Sequence, residues 1–312
     1  MRKINLFSVI AVTVLFVGVS FTSCKKDEVV VDPYAGKTDP STIATSNLVA
    51  YFSFDTDGVD KIGSLTPSNT ATTTVTFTDG RRGKAYQGTA DGLKSGLLYT
   101  LPATSKLKSL KTFSFSMWTK MVANTLLTTD APEQMVFQID GTGDWVWGNL
   151  FFLQHRNWPA ATIEKDRDFA EMDCYFWKDD ATANKGQRGS GWFLNAAQPQ
   201  WKHIICTYNN ATSEYHAYVN GVQVTAFDGT EYTGVKRWQD AAKTIPLGDL
   251  KFKDAEHLVI GAWSDRLKGT SLQTDDWASP YKGQLDEFRV YDRALTAAEA
   301  KALYDAEVTV IN

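Results

Sequence analysis

The segment from Gln284 to Tyr304 constrains this chain more than any other. From Gln284 to Tyr291 polar and apolar residues alternate. Leu285, Glu287 and Arg289 fall on one face, and Asp286, Phe288 and Val290 on the other. That period of two predicts a β-strand. Asp286 sits among apolar neighbours, and an acid there needs a metal, a backbone donor or a cation. A short helix then begins. Thr296 and Glu299 have capping-box spacing, with Thr296 as N-cap and Glu299 as the N3 residue.

Most of the remaining sequence has strand character too. Strand-like runs are Leu48 to Phe54, Val75 to Phe77, Gly96 to Thr100, Thr112 to Met121, Gln134 to Asp140 and Trp147 to Gln154. Further runs are Glu171 to Trp177, Gly191 to Leu194, Trp201 to Tyr208, Glu214 to Val219, Val222 to Phe227, His257 to Trp263 and Gly283 to Tyr291. Asn220 and Gly221 between two such runs signal a two-residue hairpin. Many strands with one terminal helix imply two packed antiparallel sheets. No internal repeat is visible, which disfavours propellers and solenoids. Phe113, Phe115 and Met117 alternate with Ser114 and Ser116, and Trp118 breaks the pattern. It either faces outward or is re-aimed by a bulge.

The closing element resembles that of laminin-G-like, concanavalin A-type jelly-roll domains. In those domains a Gly-x-Ile/Leu-Asp-Glu-x-Arg-x-Tyr strand leads into Arg-Ala-Leu-Ser/Thr and a small helix. Here Gly283 to Tyr291 and Arg293 to Thr296 match it. Leu48 to Asp55 is similar to the family's first strand and its acidic end. Trp201 to Tyr208, with Tyr215 to Gly221, is similar to its central hairpin region. The resemblance covers Asn47 to Ala306. It implies an all-β fold, a two-sheet antiparallel jelly-roll sandwich with a short C-terminal helix.

The N-terminus addresses the chain. Arg2 and Lys3 precede an apolar run from Ile4 to Phe21, which ends at Thr22, Ser23 and Cys24. A basic head, an apolar middle and small residues at the cut form a secretory signal. The Cys after small residues resembles a lipobox, which implies lipidation of Cys24. A transmembrane anchor is the alternative, since the run is near the lower length limit for spanning. Lys25 to Glu28 resembles an export signal for surface lipoproteins, or is a solvated charge cluster. Val29 to Ser46 holds Pro33, Gly36 and Pro40 with no sustained period, as a flexible tether does. The expected organisation is a signal peptide at 1–23, a tether at 24–46 and one jelly-roll domain at 47–312. The expected location is the outer membrane, facing the cell surface or the periplasm.

Removing Arg2 and Lys3 with the signal takes the 32 basic residues to 30, against 36 acidic, a net charge of −6. No basic stripe appears, so nucleic acid is not expected as a partner. Cys174 and Cys206 follow Cys24. In an oxidising compartment they pair or remain buried thiols.

Three constellations carry candidate chemistry. Asp55, Asp57 and Asp60 follow the first strand, and Asp286 lies on the last. Related domains often hold a structural calcium, which implies Asp55 and Asp286 as metal ligands, with Asp57 and Asp60 as weaker candidates. Carboxylates and loop carbonyls are the hard oxygen donors calcium takes. Turn chemistry accounts for the same residues without metal.

The second constellation is aromatic and polar: Asp140 to Trp147, His155 to Trp158, Trp263 to Arg266 and Gln273 to Trp277. Sugars need flat rings for their C–H faces and charged or amide groups for their hydroxyls. Trp145, Trp147, Arg156, Trp263, Asp265 and Arg266 are the expected glycan-binding residues. Their convergence requires the strand after Trp145 and the strand before Trp263 to share a sheet, with these ends on one side. For any single Trp, core packing is the competing role.

The third is a near-motif. Glu171 to Phe176 is similar to the Glu-x-Asp-x-x-Glu strand of family 16 glycoside hydrolases, whose two Glu are nucleophile and general acid. Phe176 replaces the second Glu and cannot donate a proton to a leaving group. The four His show no metal-binding spacing. The chain is therefore expected to be a non-catalytic glycan-binding lipoprotein, its ligand a polysaccharide or a glycoprotein glycan. Its membrane contact is the lipid anchor, and its expected cofactor is one structural calcium. The alternatives are a glycoside hydrolase or lyase of the same fold, and a protein-binding adhesion module.

Overall fold

The computed structural model describes residues 39–68, 75–89, 96–121, 133–141, 149–156, 169–179, 184–194, 200–224, 235–268 and 278–308. Cys24, Trp145, Trp147, Trp158 and Trp277 lie outside them. In chain order the strands are β1 (Leu48–Phe52), β2 (Thr76–Asp79), β3 (Lys84–Gln87), β4 (Leu97–Thr100), β5 (Phe113–Lys120), β6 (Glu133–Ile139), β7 (Leu150–Arg156) and β8 (Phe169–Asp179). They continue as β9 (Asn184–Leu194), β10 (Lys202–Asn209), β11 (Glu214–Val219), β12 (Val222–Gln223), β13 (His257–Ile260), β14 (Ala278–Pro280) and β15 (Gln284–Tyr291). Helices α1 (Ser264–Lys268) and α2 (Ala297–Val308) complete the described elements.

The strands form the two sheets expected of a jelly roll. Sheet I runs β12-β11-β10-β5-β15-β3-β2, with β1 also paired to β15. Sheet II runs β4-β13-β6-β7-β8-β9, with β14 also paired to β6. Every pairing is antiparallel except β14 with β6. Phe52, Phe115, Phe137, Phe152, Phe176 and Phe288 meet between the sheets. Phe115 packs edge-on against Phe137 at 4.8 Å and Phe152 at 5.2 Å. Each such ring contributes roughly 1.5–3 kcal/mol by leaving water.

β5 shows how the outward face of sheet I is covered. Phe113, Phe115 and Met117 join the core between the sheets. Ser114, Ser116 and Trp118 point the other way and are still buried, because α2 lies over them. Trp118 Nε1 donates to Glu307 Oε2 at 2.6 Å. Ser114 Oγ donates to the Arg293 carbonyl and accepts from the Leu295 amide, both at 2.8 Å. Trp118 thus faces outward from the sheet yet is not exposed. The capping box forms as the sequence predicts. Glu299 N donates to Thr296 Oγ1 at 3.2 Å, and Thr296 N to Glu299 Oε2 at 2.9 Å. Ile43, Leu295, Leu303 and Ala306 form a second apolar cluster beneath the helix. Among the described residues this packing includes Ile43, next to the short turn Pro40–Thr42.

β15 departs from simple alternation. Its register with β5 shifts between Asp286 and Arg289, and Glu287 adopts φ 52° there. This bulge inserts residues into the pleat. Leu285 therefore joins Phe288 and Val290 in the core, while Glu287 and Arg289 lie beneath α2. Two short strands, β3 and β14, were not legible as runs. Cys174 and Cys206 are both buried free thiols, so the pairing considered for them is not present. Burial pushes the Cys206 thiol up to about 12.

Candidate functional site

The four acids named for calcium are held by the polypeptide itself. Asp286 Oδ2 accepts from the amides of Arg81 and Arg82 at 2.8 and 2.9 Å, and Oδ1 from its neighbour Glu287 at 2.8 Å. Burial pushes the Asp286 carboxyl up to about 8, against the downward pull of those amides. Asp55 Oδ1 accepts from the Lys84 amide at 3.1 Å, so Asp55 and Asp286 hold one turn, β2 to β3. Asp60 accepts from the amides of Tyr51, Ile62 and Gly63 at 2.7–3.0 Å. Asp57 accepts from Val59 N and from Lys61 Nζ. Among the described residues no group of three or more His, Cys, Asp or Glu gathers to hold a metal. These oxygens cap turns and the β15 bulge, the role that turn chemistry assigns to such acids.

The outer face of sheet II is where rings collect. On β8, Ala170, Met172, Cys174 and Phe176 face the core. By the period of two, Glu171, Asp173, Tyr175 and Trp177 face outward. Phe176 packs against Phe113 at 5.4 Å and Tyr208 at 5.0 Å. The third position of the hydrolase-like pattern thus holds the wrong residue and also points away from Glu171 and Asp173. On the outer face, Phe151 stacks on Tyr175 at 4.6 Å and on Trp177 at 5.5 Å. Tyr175 and Trp177 stack at 6.2 Å. Met135, Leu153 and Trp263 complete this cluster.

Exposure separates its members. Phe151, Leu153 and Met135 are buried, and so are Glu171 and Asp173. Tyr175 and Trp177 are half-buried and form the accessible part. The indole of Trp177 sits over Gly186 on the neighbouring edge strand β9. A Cβ at Gly186 would lie 2.7 Å from Trp177 Nε1 and 2.9 Å from Cε2, too close for any side chain. The glycine is thus required for the ring to lie where it does.

Trp263 differs from its expected role. It is 1 % exposed, packs 6.0 Å from Phe151, and is a core ring rather than a platform. Asp265 is buried as well, and Arg266 is half-buried on α1. Topology explains this. β7 and β13 share a sheet, and both run antiparallel to β6, so they point the same way. The segment carrying Trp145 and Trp147 joins β7 at its start, whereas Trp263 follows the far end of β13. Gly261, at φ 82° with no room for a Cβ beside Tyr86 Oη, lets the chain double back over the sheet. Ser264 N then donates to Gln138 Oε1 at 3.0 Å, and Lys268 pairs with Asp140. Burial pushes the Asp140 carboxyl upward, but His257 and Lys268 outweigh that and hold it below the usual carboxylate range. Arg156 closes β7, and its side chain lies outside the described residues, as do Trp145 and Trp147.

Tyr175 and Trp177 are the residues sequence reasoning passed over. The alternation of Glu171, Asp173, Tyr175 and Trp177 against Met172, Cys174 and Phe176 carried the signal. The Trp177 amide donates to the Asn149 carbonyl at 3.1 Å, so Asn149, just before β7, lies beside this ring pair.

A family model described as the concanavalin A-like lectin/glucanases superfamily matches residues 95–301, more than half of the chain. Among solved structures, the binding domain of botulinum neurotoxin serotype D is 12% identical at a TM-score of 0.54, over 86% of this chain and 53% of that one. The binding domain of Paraclostridial Mosquitocidal Protein 1 is 14% identical at 0.53, over 84% and 52%. A structure of botulinum neurotoxin type C, whose cell entry depends on two ganglioside molecules, is 12% identical at 0.52, over 85% and 52%. The chain thus spans about half the length of these structures, and the likeness is one of fold. No curated protein matches the sequence.

Proposed function

We propose that this chain, which belongs to the concanavalin A-like lectin/glucanases superfamily, is a non-catalytic glycan-binding module that engages sugar on the outer face of sheet II. The half-exposed pair Tyr175 and Trp177, backed by buried Phe151, carries this reading. Aromatic surface of this kind takes the C–H face of a pyranose, and buried rings behind it keep the contact rigid. The partner is a polysaccharide or a glycoprotein glycan. The chain is held at the outer membrane by lipid on Cys24, a reading supported by the basic head, apolar run and small residues before it. Fatty-acid labelling lost in Cys24→Ala is the expected result; equal label in both proteins removes the anchor.

A glycan panel tests the binding face. Trp177→Ala should weaken sugar binding by roughly 1–3 kcal/mol, the scale of burying a large side chain, with little change in Tm. Trp263→Ala should instead cost about 3–5 kcal/mol of stability, as core Trp truncations do. Undiminished binding by Trp177→Ala, for every glycan the wild type retains, rejects this face.

A further inference from the structure

A second aromatic surface stands apart from the ring pair. Residues 235–250 form an arch alongside β11. Tyr215 N donates to the Val235 carbonyl and Arg237 N to the Ser213 carbonyl, both at 2.7 Å. The arch closes on itself through Gln239 N to the Ile245 carbonyl at 2.8 Å and Leu247 N to the Arg237 carbonyl at 3.1 Å. Its tip is fixed by Asp240, whose carboxylate accepts from the amides of Thr244 and Ile245 at 2.8–3.1 Å and from Thr244 Oγ1. Gln187 on β9 donates to the Trp238 carbonyl at 3.0 Å, which ties the arch to the same edge strand whose Gly186 seats Trp177.

Alternation sorts the side chains. Arg237 and Leu247 turn inward and are buried, the guanidinium 5.4 Å above the Tyr215 ring. Lys236 and Trp238 turn the other way. Trp238 is half-buried, and the exposed Lys236 holds its Nζ 4.9 Å from the indole centroid. Val235 and Ile245 flank them at 39% and 52% exposure. Among the described residues no carboxylate lies within ion-pair distance of Lys236. Glu214, opposite it in register, has its carboxylate 3.6 Å from His216 Nε2, and that of Asp240 is held in the tip. The arch thus presents a ring with a lysine ammonium over it.

We propose that Trp238 and Lys236 form a second saccharide subsite, for a sugar unit bearing a carboxylate or sulfate. The indole takes the C–H face, and the ammonium, already held over the ring, pairs with the acidic group. The Asp240 carboxylate is held within the turn by the Thr244 and Ile245 amides and the Thr244 hydroxyl. The proposal rests on the glycan-binding reading above but uses different residues on the other flank of β9.

Affinity electrophoresis of the intact chain through polygalacturonate, heparin and polysialic acid, with a neutral polysaccharide panel alongside, tests it. Retention by at least one acidic polymer is expected. It should fall about fivefold in Lys236→Gln and in Trp238→Ala, the scale of a partly exposed cation contact. It should survive in Lys236→Arg and weaken as salt rises. Thermal melts of the three variants should match wild type. The subsite is overturned if no acidic polymer is retained, or if Lys236→Gln is retained as strongly as wild type. Neutral retention that depends on Trp177 while acidic retention ignores Lys236 removes only the subsite. Acidic retention lost with Lys236 while no neutral glycan responds to Trp177 removes only the ring-pair reading.

Discussion

Asp286 spends both carboxylate oxygens on its own polypeptide: Oδ2 on the Arg81 and Arg82 amides, Oδ1 on that of Glu287. Asp55 holds the far side of the same turn through Lys84 N. A carboxylate so used is a structural bracket, fastening the first strand's end and the last strand's bulge to one β-turn. The consequence is testable with a chelator. EDTA should leave the Tm of wild type unchanged. Asp286→Asn should cost about 1–3 kcal/mol in chemical denaturation, the price of leaving buried amide donors unsatisfied. A chelator-dependent fall in wild type that disappears in Asp286→Asn would instead restore a bound cation. Residue-scale legibility was uneven for physical reasons. Asp286 was marked as an acid needing a partner, but the bulge that supplies amides depends on Glu287 at φ 52°, which no periodicity reveals. Trp263 sits beside Asp265 and Arg266 in sequence and looked like a sugar platform. Only the reversal at Gly261 turns its ring onto Phe151.

At the scale of elements, α2 is the piece whose burial matters most electrostatically. It places Glu307 against Arg289 and Trp118, with His203 Nε2 3.4 Å away. His203 also meets Ser116 Oγ at 2.8 Å, and its ring lies 5.0 Å from Trp118 and 5.9 Å from Tyr304. Burial, with a smaller push from Arg289, lowers the His203 imidazole from 6.5 to about 3. The sign follows from linkage. Below pH 6.5 the unfolded chain binds a proton that the folded chain refuses, so stability falls as the pH drops toward 3. His203→Gln should remove this component while keeping the bond to Ser116. The stability difference, wild type minus variant, should decline toward acid with a slope approaching ~1.4 kcal/mol per pH unit. Urea titrations at a series of pH values measure it, and parallel profiles would show that His203 is not the source. The helix itself was legible, through Thr296 and Glu299, as were β11 and the hairpin at Asn220 and Gly221. β3 and β14 were not, because Lys84 to Gln87 and Ala278 to Pro280 hold no run of β-branched or alternating apolar residues.

For the whole molecule, the two sheets give the domain two unlike faces. The chain enters through Pro40–Thr42 and Ile43, packed with Leu295 and Leu303 beneath α2 on the outward face of sheet I. Tyr175 and Trp177 lie on the outward face of sheet II, across the full thickness of the core. If lipid on Cys24 holds the protein, the attachment leaves from the face opposite the rings. The 16 residues from Cys24 to Asp39 reach at most ~55 Å when fully extended. The face bearing Tyr175 and Trp177 should therefore remain open when the chain is anchored. Lipidated protein on vesicles at low surface density and a soluble form lacking residues 1–24 should bind a retained polysaccharide with the same affinity, measured as depletion of labelled glycan. A marked loss of binding only in the anchored form would mean that the ring pair faces the bilayer, and that the division of labour between the two sheets is the reverse of the one argued here.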